Sequence, residues 1–336
     1  MHHQSTLGDN AARHLHGHAW LVGVVGLAVG GAILVFVPAI PAVANSILLF
    51  AGFHVVGALI LLLSAYSLGL RRLVRSHTGA RRAAAPGYDF GWGPEWMNGL
   101  GLAALATLSV AVAVAVAASA FWPVTILLVL LAANFFIGNL VMRSFRSADH
   151  VVLPMVRLMS GPGDTVLDAG CGSGRTSIAL GRVLGEGRIV AVDRFDADYI
   201  DDGGRALFDR NLDRAGLGAR VTVVKADLTA LPFEESSFDA AISTNVFDHL
   251  GNGKGQALAE IARVLRPGGR FLMAVWVPSW PMFTVANVLS LFLTSRRQWR
   301  DLAARAGLSV VDEGAFNFAW FVLLERPVGV PAEVAP

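Results

Sequence analysis

Hydrophobic positions fall into two regimes along the chain. Up to about residue 142 they form long unbroken runs, at about 20–37, 42–70, 100–120 and 124–142; beyond it they come in short β-rich stretches. Each long run has roughly the 17–25 residues needed to cross a ~30 Å hydrocarbon core, the second being longer and tilted or frayed. No acid or Arg interrupts any of them. The short "PAIP" and "FWP" turns join the runs into two helical hairpins. The first run is too long for a signal peptide, and Pro38 and Pro41 lead into another span rather than a cleavage site. The pattern predicts an all-α four-helix transmembrane domain at 20–142, with a loop at 71–98 and a His-rich tail at 1–19 before it.

From 144 onward the period changes. "TVLDAG", "RIVAVD", "VTVVKAD", "FDAAIST" and "GRFLMAVW" read as strands, and 174–184, 199–216 and 253–265 read as helices between them. Alternating strand and helix predicts a doubly wound α/β sheet, whose ligand crevice lies beyond the carboxyl ends of its strands.

Charge sharpens the division. Residues 1–142 carry six Arg, no Lys and only Asp9, Asp89 and Glu95 as acids; 143–336 carry 21 basic and 22 acidic side chains. The second half is therefore nearly neutral and has no basic footprint for nucleic acid. Arg71, Arg72, Arg75, Arg81 and Arg82 lie between the hairpins, Arg143 and Arg146 follow the last run, and the short turns have none. That asymmetry predicts a multi-pass protein with the N-terminus, the 71–98 loop and everything after 143 in the cytoplasm. Scarce Lys with abundant Arg and Ala fits a GC-rich bacterial genome, so the membrane expected is a bacterial cell membrane. Gly26 and Gly30 are spaced for close helix packing, and Asn45, His54, Asn134 and Asn139 suit bonds across helices. The single cysteine, Cys171, excludes an intramolecular disulfide and reads as a small side chain packed under a turn. No metal site is expected: the "HLHGH" tail has no fold to fix its imidazoles.

"VLDAGCGSGRTS" (166–177) is the candidate chemistry. Asp168 stands at the end of the first strand; Gly170, Gly172 and Gly174 let the backbone turn sharply toward a ligand as a helix begins. The stretch does not satisfy G-x-G-x-x-G, because Arg175 occupies the last glycine's place, so a nicotinamide cofactor is disfavoured. Asp193 ends the second strand, placed to accept both hydroxyls of a ribose. Asp227 ends the third, and "ISTNVFDHL" follows the fourth.

This array resembles the class I S-adenosylmethionine-dependent methyltransferases over about 150–326, within a domain expected at 143–326, particularly the branch acting on quinones, sterols and other small or lipidic acceptors. The resemblance implies a Rossmann-like seven-stranded sheet with a terminal antiparallel hairpin, ahead of a short tail at 327–336. S-adenosylmethionine is the implied cofactor. Gly170, Gly172 and Gly174 would cradle its methionine and ribose part, with Asp168 ordering polar groups and Asp193 holding the ribose. Arg194, Asp227 and Leu228 would lie at the adenine, and Asn245 would face the methionine end.

The acceptor side stays more open. "GYDFGWGPEWMNG" (87–99) resembles an aromatic element that precedes the cofactor motif in sterol and tocopherol-type methyltransferases, and equally reads as an interfacial aromatic belt of Tyr88, Trp92 and Trp96. His249 is a candidate base; Asp248 is a second candidate that a helix-start cap explains equally well. "VPSWPMFTVANVLSLFLT" (277–294) reads as an interfacial segment over the site, with Trp280, Phe283 and Leu291 in lipid, or as packing on the sheet. The expected partners are the bilayer and a lipophilic acceptor. An aminopropyltransferase is disfavoured, since "DAGCGSG" and "STNVFDH" lack the acidic motifs of that group. A non-catalytic cofactor-binding protein is the rival outside enzymology.

Overall fold

The computed structural model describes residues 25–37, 39–52, 87–91, 94–144, 155, 157–197, 204–316 and 318–328. The chain divides into two compact units, one of residues 1–85 with 287–289, the other of 86–286 with 290–336. In the first, the described residues hold two apolar helices, α1 (Val25–Phe36) and α2 (Pro41–Gly52). A Cβ added at Gly26 would lie 2.8 Å from Ala51 Cβ, and one at Gly30 would lie 2.8 Å from Leu48 Cγ. The glycines thus sit where the two helices approach closest.

In the second unit, α3 (Pro94–Ala117) and α4 (Trp122–Ser144) form an antiparallel hairpin. Arg143, in the last turn of α4, donates to Asn98 Oδ1 at 2.9 Å, which brings the open end of the hairpin together. Hydroxyls within α3 are satisfied locally: Thr107 and Ser109 donate to the carbonyls of Ala103 and Leu105. Among the described residues only Asn98–Ala117 and Trp122–Ser144 are long and apolar enough to cross a membrane. Two of the four expected spans are thus supported; the first two expected runs, 20–37 and 42–70, extend outside the described residues. His54 and the five arginines at 71–82 lie outside the described residues, as do the N-terminal tail, Trp92 and Arg146.

The sheet has strand order β3-β2-β1-β4-β5-β7-β6. β1 (Thr165–Ala169), β2 (Arg188–Asp193), β3 (Val221–Lys225), β4 (Phe238–Thr244) and β5 (Leu265–Val275) are parallel; β7 (Ala319–Glu325) is antiparallel to both β5 and β6 (Ser309–Phe316). The order reverses between β1 and β4, which makes a crevice at their carboxyl ends. Alternate β1 residues enter different cores. Leu167 and Ala169 pack with Phe247, Phe271 and Trp299 on one face, while Val166 packs with Ile178, Ile189 and Phe208 on the other.

Helices α5 (Arg175–Val183), α6 (Arg205–Ala215) and α7 (Lys254–Val264) fall within the expected stretches. β5 begins earlier than the "GRFLMAVW" stretch and takes in the Pro-Gly-Gly sequence at 267–269, absorbed by a register shift between Phe238 and Ala240. The 277–294 stretch is a short helix α8 (Trp280–Ala286) and a 3-10 turn (Asn287–Phe292). Helix α9 (Arg296–Arg305) follows, opened by a capping box between Ser295 and Gln298.

Candidate functional site

The glycine turn leaves β1 and enters α5 with Gly170, Gly172 and Gly174 all at positive φ (87, 50 and 89°). Its amides are aimed inward. Gly170 and Cys171 donate to the Val192 carbonyl at 2.7 and 3.0 Å, and Gly172 donates to Asp193 Oδ2 at 2.8 Å. The other Asp193 oxygen accepts from the Phe195 amide at 2.8 Å. Burial holds the Asp193 carboxyl above its usual range despite these two bonds. Each oxygen keeps a second lone pair, which suits a pair of neighbouring hydroxyls. Burial also pushes up the Cys171 thiol, so it packs as a small apolar side chain.

Asp168, expected at the end of the first strand, lies inside β1 one residue before its last, Ala169, and is fully buried. Ser177 Oγ donates to its Oδ2 at 2.5 Å; Oδ1 has no hydrogen-bond partner. Burial, with the Asp193 charge adding to it, raises its pKa from 3.8 to about 7 against the Ser177 bond. A carboxyl whose folded pKa exceeds its unfolded value binds more protons when folded, so its contribution to stability falls as pH rises from about 4 to about 7. Asp168→Asn should remove that fall. Chemical denaturation at pH 4.5 and 7.5 should show the variant gaining on the native chain at the higher pH, on the order of a few kcal/mol. Equal differences at both pH values would contradict the assignment.

Arg194, expected near an adenine, ion-pairs with Asp196 at 3.2 Å and Asp227 at 3.3 Å, bridging the ends of β2 and β3. Asp227 Oδ1 accepts from the Thr229 amide and hydroxyl at 2.8 and 2.7 Å. Partial burial opposes ionisation, but these bonds and Arg194 hold the carboxyl below its usual range. Leu228 beside it is buried in the core.

Beyond β4, Asn245 adopts φ 56° and donates its amide to Ala274 O at 2.8 Å. Its Oδ1 is buried without a hydrogen-bond partner. At the same end, the Thr176 and Thr244 hydroxyls are 2.6 Å apart, linking α5 to β4. Asp248 and His249 lie in a 3-10 turn at Phe247–His249. The Asp248 side chain is 5% exposed, and that of His249 57%. The imidazole stands edge-on to Trp276, with centroids 6.4 Å apart.

The 87–91 segment is brought to the glycine turn. The Asp89 amide donates to Asn211 Oδ1 at 3.0 Å, while Asn211 Nδ2 donates to the carbonyls of Asp89 (2.8 Å) and Ser173 (2.9 Å). Ser173 Oγ donates to Phe90 O at 3.1 Å, and Arg214 donates to Gly87 O. Tyr88 stacks on Phe90. The compact unit holding the sheet takes in this segment as well, from Pro86 onward. Sequence reasoning missed Ser177, Phe195, Asn211 and the Thr176–Thr244 pair.

Residues 167–273 match the family model described as a methyltransferase domain, and every candidate site residue lies within them. This segment is a methyltransferase domain. Among relatives, a sterol 24-C-methyltransferase of Eremothecium gossypii is 32% identical over 145 residues, covering 43% of this chain and 36% of that protein. A ubiquinone/menaquinone biosynthesis C-methyltransferase of Hahella chejuensis is 37% identical over 116 residues, covering 33% and 42%. The chain thus spans less than half the length of these two relatives. The geranyl diphosphate C-methyltransferase structure from Streptomyces coelicolor A3(2) superposes over 51% of this chain and 77% of its own, with TM-score 0.41 and 19% identity.

The cofactor of the methyltransferase domain is S-adenosylmethionine, and the residues present fit it. Two observations test the fit: Asn245 Oδ1 and Asp168 Oδ1 are buried polar atoms without a partner, and the turn keeps a glycine where any Cβ would collide. Asp193 would hold the ribose hydroxyls, the 170–174 backbone the adjoining chain, and Asn245 a polar group of the methionine end. Bound there, the cofactor supplies a methyl group on a sulfonium.

Proposed function

We propose that the chain is a membrane-embedded methyltransferase that methylates a lipophilic acceptor held in the bilayer, with its site on the cytoplasmic side. The observation that carries this reading is the docking of α8 on α4. Gly138 of α4 faces the Thr284 carbonyl so closely that a Cβ would collide with it. Leu100, Val141, Met142, Trp276 and Val285 pack together beside it. α4 is 23 residues long, about 34 Å at 1.5 Å per residue, enough to cross ~30 Å of hydrocarbon. Gly138 lies six residues before Ser144, about 9 Å along the axis from the helix end. A helix fixed at that level lies at the boundary between headgroups and acyl chains.

Exposure agrees. Leu102, Leu105, Val112, Val116, Leu130 and Phe136 of the hairpin are exposed, as are Trp280, Leu291 and Phe292 around α8; contiguous apolar surface of that kind calls for a lipid cover. Phe283 departs from the expectation of a fully lipid-facing residue: it is half-buried, edge-on to Trp280. The sterol and the quinones in the names of the two relatives are lipophilic as well.

Gly138→Leu tests the reading in the full chain reconstituted in phospholipid vesicles. The variant should transfer labelled methyl to a total lipid extract at least about tenfold more slowly, because misplacing an acceptor by an ångström is enough for such a loss. Its cofactor affinity should stay within about twofold. Unchanged transfer by the variant, or a native chain that prefers a water-soluble acceptor without membranes, would make the apolar helices an anchor only. Cofactor binding with no transfer to any acceptor would favour the non-catalytic alternative.

A further inference from the structure

Between Val277 and Arg300 the chain has no acid, and its three cations come together at the end, as Arg296, Arg297 and Arg300. All three lie in the first half of α9, and its first turn holds no acid. That placement runs against elementary electrostatics. The N-terminal end of a helix carries partial positive charge, so cations there are destabilising unless an anion lies beside them. One such anion is internal: Arg300 donates to both oxygens of Glu313 on β6, at 2.8 and 2.5 Å. The Arg300 bonds, with Arg296 adding to them at longer range, hold that carboxyl below its usual range. Glu313 is thereby taken up. Arg296 and Arg297 are exposed and make no hydrogen bond or ion pair among the described residues. Asp301 is the one acid of 277–305 against four arginines, so the segment stays cationic.

Apolar side chains of the same segment are exposed as well. Trp280 is 83% exposed, Leu291 64% and Phe292 56%, whereas Trp299 of α9 is buried in the core under the sheet. Arg296 follows Phe292 by four residues, at most about 14 Å of chain. The headgroup layer of one leaflet is roughly 5–8 Å thick, and a long arginine side chain reaches along it with its charge in water. Phe292 at the acyl boundary therefore leaves both free guanidiniums at the level of the lipid phosphates.

We propose that this segment is a clasp for anionic lipid: Trp280, Leu291 and Phe292 enter the acyl boundary, and Arg296 and Arg297 bind headgroup phosphates of the same leaflet. A planar guanidinium meets two phosphate oxygens at once. The lipid phosphate is then the anion that offsets the cations at the start of α9. The inference rests on the membrane reading above and adds to it a preference for an acidic leaflet.

The test is amide hydrogen exchange of the full chain, read over 291–300, in nanodiscs of phosphatidylcholine alone and in nanodiscs that also contain phosphatidylglycerol. Exchange should be slower in the acidic nanodiscs by about tenfold or more, since each arginine at an anionic surface contributes roughly fivefold. High salt should erase the difference, because these contacts are open to screening. Arg296→Gln combined with Arg297→Gln should erase it too, with cofactor affinity unchanged. Lys at both positions should keep much of it. Should the Gln pair fail to fold, the salt response of the native chain carries the test. Equal exchange in the two nanodiscs overturns the proposal and leaves the membrane reading standing. Inorganic phosphate that slows exchange as much in neutral nanodiscs overturns the lipid as the source of the anion. A chain that stays dissolved without detergent or bilayer, with 291–300 exchanging as it does in either nanodisc, overturns the membrane reading and this proposal together.

Discussion

Asp193→Ala should weaken S-adenosylmethionine binding by about a hundredfold or more. The side chain does two jobs. Its oxygens accept the Gly172 and Phe195 amides, at 2.8 Å each, and so fix the glycine turn against the end of β2. Their remaining lone pairs face where ribose hydroxyls would sit. Hydrogen bonds to a charged partner contribute about 1.5–3 kcal/mol each, and the variant loses two to ligand while freeing two backbone donors. Two such losses correspond to roughly two to four decades in Kd. Asp193→Asn should recover little, because one carbonyl oxygen cannot accept from both amides and the new NH2 meets an N–H head-on. Calorimetric titration of the purified full chain measures this; an affinity within threefold of the native value would move the ribose site elsewhere.

Gly170→Val should go further and remove the folded turn altogether. Gly170 has φ 87°, and a Cβ added there would lie 2.5 Å from Val246 Cγ2 and 2.6 Å from Cγ1. The left-handed conformation costs a non-glycine residue about 1–2 kcal/mol, and more for a β-branched one. Forcing methyl groups into a packed site adds roughly 1–3 kcal/mol. Together these come to roughly 2–5 kcal/mol, a large share of the about 5–15 kcal/mol that holds an ordinary domain together. The variant should show a Tm several degrees lower or more and no measurable cofactor binding. Adding Val246→Ala should relieve the clash but leave the conformational strain, so recovery should be partial. A Gly170→Val protein with native Tm and affinity would contradict the geometry.

The parts of the site that were legible in the sequence are those in which the residue type alone carries the physics. Glycines at 170, 172 and 174 are needed for positive φ, and Asp193 sits at a strand end opposite them; neither requires knowledge of a distant partner. Asn211 had no such mark. It lies in the middle of a polar helical stretch, and its value comes from Asp89, 122 residues earlier, and Ser173. Ser177 and Thr176 read as ordinary first-turn residues of a helix, and only the fold turns one to Asp168 and the other to Thr244. Asp168 and Arg194 were identified by place but not by state. That one carboxyl is sealed under the sheet, while the arginine ties two strand-end acids together, depends on packing around them.

The apolar half shows the opposite limit. Runs of hydrophobic residues reveal that a segment avoids water, but not what it packs on. Nothing local in "FFIGNLVM" distinguishes Gly138, the residue that admits α8, from a glycine of no consequence. The aromatic "GYDFG" stretch was open to two readings, and its docking on Ser173 and Asn211 favours the one that joins it to the cofactor turn.

The hydrogen bond between Arg143 and Asn98 has a consequence for the rest of the chain as well. The hairpin leaves and rejoins the rest of its unit at one place, with the segment that touches the glycine turn before it and the sheet after it. Extra chain is tolerated where its two ends lie side by side, since the host then need not stretch to accommodate it. The length of the hairpin is therefore free to vary beyond that bond without pulling on the cofactor crevice.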